Sequence, residues 1–567
     1  MRFFRLLFFA LFLKVANSYA ITNLDDTVSH FTRIITNWVS TEPCDKQEES
    51  EEFRQLIHTL VLPTSLQRDN WHSFDGERGD IMCVICQSAL NTFLKLRREG
   101  MSEESIRCRG IKLCSALNLA PDKVCEGAIT INLPIILHII DSRPNLTATT
   151  MCGVLLDSRS CPLNDEKFNW TVNIDNGPPI LIDPEESDET LNIAQINSSK
   201  LYITLCNINL QNISYVYFTG DIVDHGVWET TVEGNAKSLY KSYLQIHETF
   251  KNYVPVYPLL GNHEPHPLNQ FAPTSITNSE LSTAWLFKMM ADLWIHLGWL
   301  PESTRSTILQ GGYYTVTPSK GFRIIALNSN VCYCFNWWLW YEPKDPYGQL
   351  QWMADTLLQA EKDGEFVHIL AHIPPGDKEC LSTWRREYIK VVKRFSHIIR
   401  AQFNGHSHND EVHLYYGVDD NNTINVGWNG GSATTYQNLN NNYKLYIVDS
   451  KNYGVKDFEN WMYNLTLANA NPDKLPPWYK SYSFKEEYGL SDLSYDSLQV
   501  WLSKLATDIN MLSRYYRNFF KHAEPSLSKE CDAKCMRPYM CRIIASLGDH
   551  RTKCENNEYL KFTPSQL

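Results

Sequence analysis

The sequence predicts an α/β sandwich with a small helical, disulfide-stapled module at each end. Short apolar runs alternate with helical stretches through the middle of the chain, which favours an α/β sheet. These runs end in loops rich in His, Asp, Asn and Gly, which is typical of functional groups at strand ends. Of the 16 cysteines, seven lie between Cys83 and Cys161 and four between Cys531 and Cys554, so the stapled modules should flank a cysteine-poor body.

Composition and charge exclude several classes of protein. Hydrophobic residues make up 43% of the 567 residues, which is enough for packed cores and excludes a disordered chain, a collagen or a coiled coil. The 52 Lys and Arg residues against 64 Asp and Glu residues give a net charge of −12. A dedicated nucleic-acid binder needs an excess of positive charge, so we expect no nucleic-acid partner.

The first 20 residues are typical of a secretory signal peptide. Arg2 and Arg5 precede a short apolar run at Leu6 to Leu13, and small residues end the segment at Ala20. No later uninterrupted apolar stretch reaches the roughly 18 residues of a membrane span, so we expect no transmembrane anchor. The cysteine content fits an oxidising compartment. Six sequons favour glycosylation in such a chain: Asn145, Asn169, Asn197, Asn212, Asn421 and Asn464.

The chain divides into six predicted segments. Changes in apolar periodicity and in the density of Asp, Asn and Pro set the boundaries. The segments are a signal peptide at 1–20, a polar irregular segment at 21–78, a helical cysteine-rich module at 79–165, a linker at 166–190, the α/β domain at 191–455 and a helical aromatic-rich region at 456–567.

Four loop motifs in the α/β domain carry the residues that suggest a chemistry. They are Gly220-Asp221-Ile222-Val223-Asp224-His225, Gly261-Asn262-His263-Glu264, His372-Ile373-Pro374-Pro375-Gly376 and Gly405-His406-Ser407-His408. Each motif is weak by itself, because such turns are common. Four of them in this order, each at or near the end of an apolar strand-like run, indicate one shared site.

The residue types are those of a centre with two divalent metal ions. Two ions about 3.5–4 Å apart can clamp a phosphoryl group and activate water. A bridging carboxylate must hold both ions, a role suited to Asp221. Zinc binds imidazole nitrogen well, so the remaining predicted ligands are His372, His406, His408 and the carbonyl oxygen of Asn262.

His225 and His263 lie close to these ligands in the sequence. They are predicted to contact the phosphate or to protonate the leaving oxygen. The alternative for both is a supporting role around the ligands, without contact with the substrate.

At these motifs the chain resembles the calcineurin-like metallophosphoesterases, and among them the acid sphingomyelinase family. The resemblance runs from about residue 79 to 554. It implies a metallophosphoesterase β-sandwich flanked by helices, two zinc ions, and hydrolysis of sphingomyelin to ceramide and phosphocholine in lysosomes or after secretion. It also implies the roles given above for Asp221, Asn262, His372, His406 and His408, and for His225 and His263.

The cysteine-rich module is similar to a saposin-type domain, whose helices can open an apolar face onto membrane lipid. The resemblance implies six disulfides, which spacing alone cannot give. They are Cys83–Cys161, Cys86–Cys152, Cys114–Cys125, Cys332–Cys380, Cys531–Cys535 and Cys541–Cys554.

The sequence departs from the family at the first metal site. The family pattern has Asp-x-His after the first strand of the sheet, here predicted at Leu191–Ile196, but Asn197-Ser198-Ser199 follows. Asp221 and His408 alone give the first ion two protein ligands, fewer than the three of an ordinary catalytic zinc site. We therefore expect a complete second site and a weakened or empty first one.

Three functions remain open from the sequence. The first is a secreted or lysosomal sphingomyelin phosphodiesterase weakened by the missing segment. The second is a phosphodiesterase for soluble, nucleotide-like phosphoesters, which the saposin-like cysteine pattern disfavours because a soluble substrate needs no lipid-presenting module. The third is a catalytically dead lipid-binding protein that keeps the fold.

Overall fold

The computed structural model describes most of the chain. The described residues are 24–40, 77–116, 120–156, 161–182, 186–196, 213–251, 253–417, 422–546 and 550–555. The predicted signal peptide, the Asn197-Ser198-Ser199 segment and the sequons at Asn197, Asn212 and Asn421 lie outside them. Of the remaining sequons, Asn145 and Asn169 are exposed, and Asn464 is half-buried at the start of a short helix.

Four helices form the cysteine-rich module. Their bounds are Glu77–Arg98 (α2), Glu103–Ala116 (α3), Asp122–Ser142 (α4) and Ala148–Leu156 (α5). Disulfides Cys83–Cys161, Cys86–Cys152 and Cys114–Cys125 join them. Helix α4 is long and apolar enough by length and composition to cross a membrane, and 50% of its most apolar window is buried in the protein.

A helix that the sequence analysis missed precedes this module. Residues Leu24–Ser40 form helix α1, where an irregular segment was expected. Its buried residues Val28, Phe31, Ile35 and Trp38 recur every three or four positions, so one apolar face packs against α2. Arg33 is the one charged residue between Val28 and Trp38, so the expectation of an irregular segment came from the polar composition of residues 21–78 as a whole.

Two mixed sheets form the body of the protein. The strands are β1 Thr190–Ile196, β2 Tyr215–Phe218, β3 Val256–Pro258, β4 Tyr314–Ser319, β5 Phe322–Leu327, β6 Phe366–Ala371, β7 Ile399–Asn404, β8 Asp410–Tyr416, β9 Thr423–Gly430, β10 Asn442–Asp449, β11 Val455–Met462, β12 Tyr479–Ser483 and β13 Ile544–Ala545. The first sheet has the order β12-β11-β10-β1-β2-β3 and the second has the order β13-β8-β9-β7-β6-β5-β4.

The two sheets pack face to face through buried side chains. Tyr217 on β2 places its hydroxyl 2.9 Å from His368 Nδ1 on β6, and Gln195 on β1 donates to the carbonyl of Asn404 on β7 at 2.7 Å. Strands β1, β2 and β3 are parallel, as are β5, β6 and β7. Their carboxyl ends therefore meet at one edge of the sandwich, and the four loop motifs start there. The predicted α/β sandwich is confirmed.

Helices cover the sheets and continue beyond them. In the body these are α6 Val232–Phe250, α7 Ala284–His296, α8 Arg305–Gly311, α9 Gln349–Asp363 and α10 Ser382–Arg394. Towards the C-terminus they are α11 Leu465–Ala470, α12 Phe484–Tyr488, α13 Tyr495–Thr507, α14 Ile509–Phe519, α15 Glu524–Leu527, α16 Ala533–Cys541 and α17 His550–Glu555.

The boundary predicted at residue 456 differs from the structure. Strands β11 and β12 lie in the expected helical region and extend the first sheet beyond β10. Phe458, Asn460 and Met462 on β11 are buried in alternation, which is the period of a strand.

The segment 166–190, expected as a linker, packs on α10. Thr383 donates to the carbonyl of Phe168 at 2.7 Å, and Glu387 accepts from the amide of Val172 at 3.1 Å.

Disulfides Cys332–Cys380, Cys531–Cys535 and Cys541–Cys554 complete the set that the resemblance implies. The first of them joins two loops of the body, and the other two hold the C-terminal helices. All six implied pairings are present in the structure.

Helix α4 docks the cysteine-rich module against two loops of the body. Trp337 donates Nε1–H to Asn132 Oδ1 on α4 at 2.9 Å, and both side chains are buried. Gly127 on α4 lies against the backbone of Trp228, where a Cβ atom would collide. Trp228 belongs to the loop that begins at Gly220 and carries Asp221 and His225. The module is thereby fixed beside the candidate site.

Candidate metal centre

The loops of the site hold unusual backbone conformations. Asp221, His406 and His408 have φ angles of 64°, 71° and 62°, in the left-handed region that residues other than glycine rarely adopt. Such conformations concentrate at functional sites, where the surrounding structure imposes them. Glycine is required at position 261 because the backbone there lies close to Asp221. A Cβ atom would collide with the backbone amide and the carboxylate of Asp221.

The ring of His372 is fixed by the backbone beneath it. Its Nδ1 lies 2.6 Å from the carbonyl oxygen of Thr219, which only accepts, so Nδ1 must carry the proton. In the neutral ring Nε2 then presents a lone pair. This atom lies 3.2 Å from Asp221 Oδ2 and 3.0 Å from Asn262 Oδ1.

His406 is fixed in the opposite tautomer. Its Nε2 lies 2.7 Å from the carboxylate oxygen Oε2 of Glu379, so Nε2 donates and Nδ1 presents the lone pair. That Nδ1 is 2.9 Å from Asn262 Oδ1. Asn262 in turn donates its Nδ2 to Asn269 Oδ1 at 2.7 Å, which aims its own oxygen at the two histidines.

Four acceptor atoms therefore face one another at the end of the sheets. They are Asp221 Oδ2, Asn262 Oδ1, His372 Nε2 and His406 Nδ1, and their donors point away. Facing lone pairs repel unless a cation lies between them. Ligand atoms of Asp221, His372 and His406 all lie within 4.8 Å of one another, and all three side chains are buried. The donor set of one carboxylate, one amide oxygen and two imidazoles fits a divalent transition metal.

The electrostatics of the cluster favour a bound cation. Burial opposes ionisation of Asp221, but the imidazoles of His372 and His263 outweigh it and hold the pKa of Asp221 well below its usual range. Burial lowers the pKa of His372, while the Asp221 carboxylate raises it, and the net pKa is raised. Glu264 is buried beneath the loop, where it accepts from the amide of Ile222 at 2.5 Å. Burial and Asp221 raise the pKa of Glu264 to about 7.

The other half of the predicted two-ion centre has few ligands among the described residues. His408 is buried and its Nδ1 has no hydrogen-bond partner, as is also true of Asp221 Oδ2. The sequence from residue 190 to 220 contains no Asp, Glu or His. Thr219 donates its amide to the carbonyl of Ile196 at 3.0 Å, so the end of β1 lies beside the loop that carries Asp221. Among the residues that the structure describes, a first ion would thus find Asp221 and His408 as its protein ligands, and two ligands do not fit a catalytic zinc.

His225 and His263 lie together on the same side as His408. His263 Nδ1 donates to the carbonyl oxygen of Asp224 at 2.9 Å, which leaves Nε2 4.0 Å from Asp221 Oδ2. The rings of His225 and His263 are 4.3 Å apart. Tyr436 stacks on His225 at 3.6 Å and holds its ring in place. Burial and then His263 lower the pKa of His225, so its ring is neutral.

Four residues that shape the site were not predicted from the sequence: Glu264, Asn269, Glu379 and Tyr436. Glu264 stands in a quoted motif, but nothing in that motif distinguishes a carboxylate below the loop from one inside the site. Tyr436 lies outside the four motifs. Asn269 and Glu379 act through hydrogen bonds to ligands from loops whose path the sequence does not give.

Comparison with known proteins gives two family matches. Residues 193–410 match the calcineurin-like phosphoesterase family, and residues 431–561 match the acid sphingomyelin phosphodiesterase C-terminal region. The first match contains every predicted metal ligand. The second begins just after β9 and contains Tyr436.

Two curated relatives match most of the chain. The chain is 30% identical over 546 residues to the sphingomyelin phosphodiesterase of Homo sapiens, with 84% of this chain and 83% of that protein covered. It is 27% identical over 559 residues to sphingomyelin phosphodiesterase 1 of Caenorhabditis elegans, with 88% and 97% covered. Among solved structures, it is similar to a dimetal phosphatase from Danio rerio at 14% identity and a TM-score of 0.32, which covers 48% of this chain and 96% of the other.

Proposed function

Because the chain belongs to the sphingomyelin phosphodiesterase family, we propose that it hydrolyses sphingomyelin to ceramide and phosphocholine, with a metal centre of which one half is incomplete. The observation that carries the chemistry is the convergence of four acceptor atoms from Asp221, Asn262, His372 and His406. Zinc suits this set because it accepts imidazole nitrogen and carboxylate oxygen together.

The residues of the site would have the following roles in sphingomyelin hydrolysis. A divalent ion held by the four acceptors would polarise the phosphoryl oxygens and promote attack by water. Water forms a new bond to phosphorus, and the bond from phosphorus to the ceramide oxygen breaks. Nε2 of His263, which the bond from Nδ1 to Asp224 leaves with a lone pair, can take the proton that the attacking water loses and pass it to that ceramide oxygen. His225, on which Tyr436 stacks, would contact the phosphate.

Only two ligands for a first ion, Asp221 and His408, lie in the described part of the chain, and this supports reduced turnover. A single ion can polarise the phosphoryl group, but it cannot clamp both the attacking and the leaving oxygen. The same observation favours a second candidate function, a lipid-binding protein of this family that lacks catalysis. The two candidates make different predictions for product release and the same prediction for lipid binding.

Purified full-length protein incubated with sphingomyelin vesicles at acidic pH separates the two. Slow release of phosphocholine that stops on removal of metal by a chelator and returns with zinc supports the phosphodiesterase. Vesicle binding with no release supports the inactive lipid binder. Hydrolysis of nucleotides but not of sphingomyelin would overturn both.

The saposin-type module is proposed to bring membrane lipid to the site. Its helix α4 contacts the loop that carries Asp221 and His225, so lipid bound by the module would lie beside the cluster. Entry into the secretory pathway, followed by secretion or delivery to lysosomes, would place it opposite sphingomyelin-bearing membranes. The six disulfides suit those oxidising compartments.

Replacing Asn132 by leucine should uncouple the module from the site. The change removes the acceptor of the Trp337 Nε1–H and leaves a buried donor unpaired, which costs about 1–3 kcal/mol. We expect the KM for vesicle sphingomyelin to rise several-fold while turnover of a soluble phosphocholine diester stays within about twofold. The control is Lys123→Ala, which breaks the exposed ion pair with Glu229 at the same contact and should change neither rate. Equal loss on both substrates in Asn132→Leu would contradict a role in lipid presentation.

A further inference from the structure

A carboxylate that belongs to none of the four motifs contacts the metal cluster. Glu379 lies in the loop between β6 and α10, and its side chain is only 16% exposed. Its Oε2 lies 2.7 Å from Nε2 of His406, on the side of the ring that faces away from Asn262 and His372. Glu379 therefore contacts a predicted ligand without being one itself.

Hydrogen bonds to both its amide and its carbonyl group fix the backbone of Glu379. The amide of Glu379 donates to Asp377 Oδ1 at 3.1 Å, and its carbonyl oxygen accepts from the amide of Cys334 at 3.0 Å. The next residue, Cys380, is joined to Cys332 by a disulfide. Leu381 donates its amide to the carbonyl of Cys332 at 2.7 Å. A carboxylate on a backbone fixed in this way needs little reorganisation to meet the imidazole.

We propose that Glu379 is a positioning residue for the metal centre, which fixes the His406 tautomer and orients its Nδ1 towards the ion. This inference rests on the metal centre proposed above. Imidazole has one lone pair in its neutral form, and the proton must sit on Nε2 if Nδ1 is to bind a metal. Glu379 stabilises that form, and its negative charge makes the ring a stronger donor to a cation.

The opposite face of the cluster uses a neutral group for the same purpose. The carbonyl oxygen of Thr219 orients His372, whereas a full negative charge orients His406. His406 Nδ1 is one of the four acceptor atoms of this site, so its strength as a donor bears directly on the affinity for the ion. Loss of Glu379 should therefore weaken metal binding more than an ordinary change near the surface.

The test is a competition titration of zinc between a fluorescent chelator and the metal-free full-length protein. In Glu379→Ala the zinc dissociation constant should rise about 10- to 100-fold. Glu379→Gln should fall between this variant and the unchanged protein, because the amide oxygen still accepts from Nε2–H but carries no charge. Glu379→Asp should resemble alanine, because its carboxylate is one methylene too short. The matched control is Glu342→Gln, an exposed carboxylate in another loop of the body, for which no change is expected.

A second measurement separates orientation from loss of folding. The ¹⁵N chemical shifts of His406 in the metal-free protein report which nitrogen carries the proton. We expect a proton on Nε2 in the unchanged protein and mixed tautomers in Glu379→Ala, with melting temperatures of the metal-free proteins within a few degrees. Zinc binding by Glu379→Ala within twofold of the unchanged protein, or an unchanged tautomer, overturns the role of Glu379. Failure of the unchanged protein to bind zinc overturns the proposed function itself.

Discussion

Replacing His372 by alanine should remove the metal and lower kcat/KM for vesicle sphingomyelin at least about 10³-fold. His372 is fully buried, and its Nε2 lies within 3.2 Å of both Asp221 and Asn262. The other ring nitrogen, Nδ1, is bound to the Thr219 carbonyl, so Nε2 is the nitrogen that His372 presents to the cluster. Zinc content measured by elemental analysis and phosphocholine release measured on the same sample give the two readouts.

The control for this variant is His296→Ala, which removes an exposed imidazole at the end of α7. It should keep both metal and activity. Measurable zinc with unchanged turnover in His372→Ala would show that the ion lies elsewhere. An unfolded variant would be recognised by its circular dichroism, and Asn262→Ala then supplies the same test from another ligand.

Building the missing pair of ligands should raise turnover about 10²-fold or more and add a second zinc ion. The double variant Asn197→Asp, Ser199→His places Asp-x-His directly after β1. Strand β1 ends beside Asp221, since Ile196 accepts the amide of Thr219. Together with Asp221 and the unpartnered Nδ1 of His408, the new side chains would give a first ion four ligands.

Ser199→Ala is the matched control, because it also removes the sequon at Asn197 and adds no ligand. It should leave turnover and zinc content as they are. If the double variant binds no more zinc than this control and is no faster, the absent Asp-x-His does not explain weak activity.

The sequence predicts the sheet edge well, and for a physical reason. A strand followed by Gly and a polar ligand is a local pattern, and parallel strands bring such ends together. The quoted loops following β2, β3, β6 and β7 do meet in one cluster. The arrangement of donors was not predictable, because it depends on Thr219, Asn269 and Glu379, which reach the ligands through the folded backbone.

Two elements outside the site also show that a local sequence pattern predicts some features, while others depend on tertiary packing. Helix α1 has its apolar residues at helical spacing, yet its partner is the face of α2, which no local pattern reveals. Strand β11 alternates buried and half-buried residues, but its aromatic content resembles that of the helices that follow. In both cases tertiary packing decided between local alternatives.

The number and position of zinc ions in the full-length protein test the central claim most directly. Anomalous X-ray scattering at the zinc edge on crystals grown with zinc would locate them. A single strong peak between Asp221, Asn262, His372 and His406, with weak or no density beside His408, is the predicted result. Two ions of equal occupancy, or an ion away from these four residues, would contradict it.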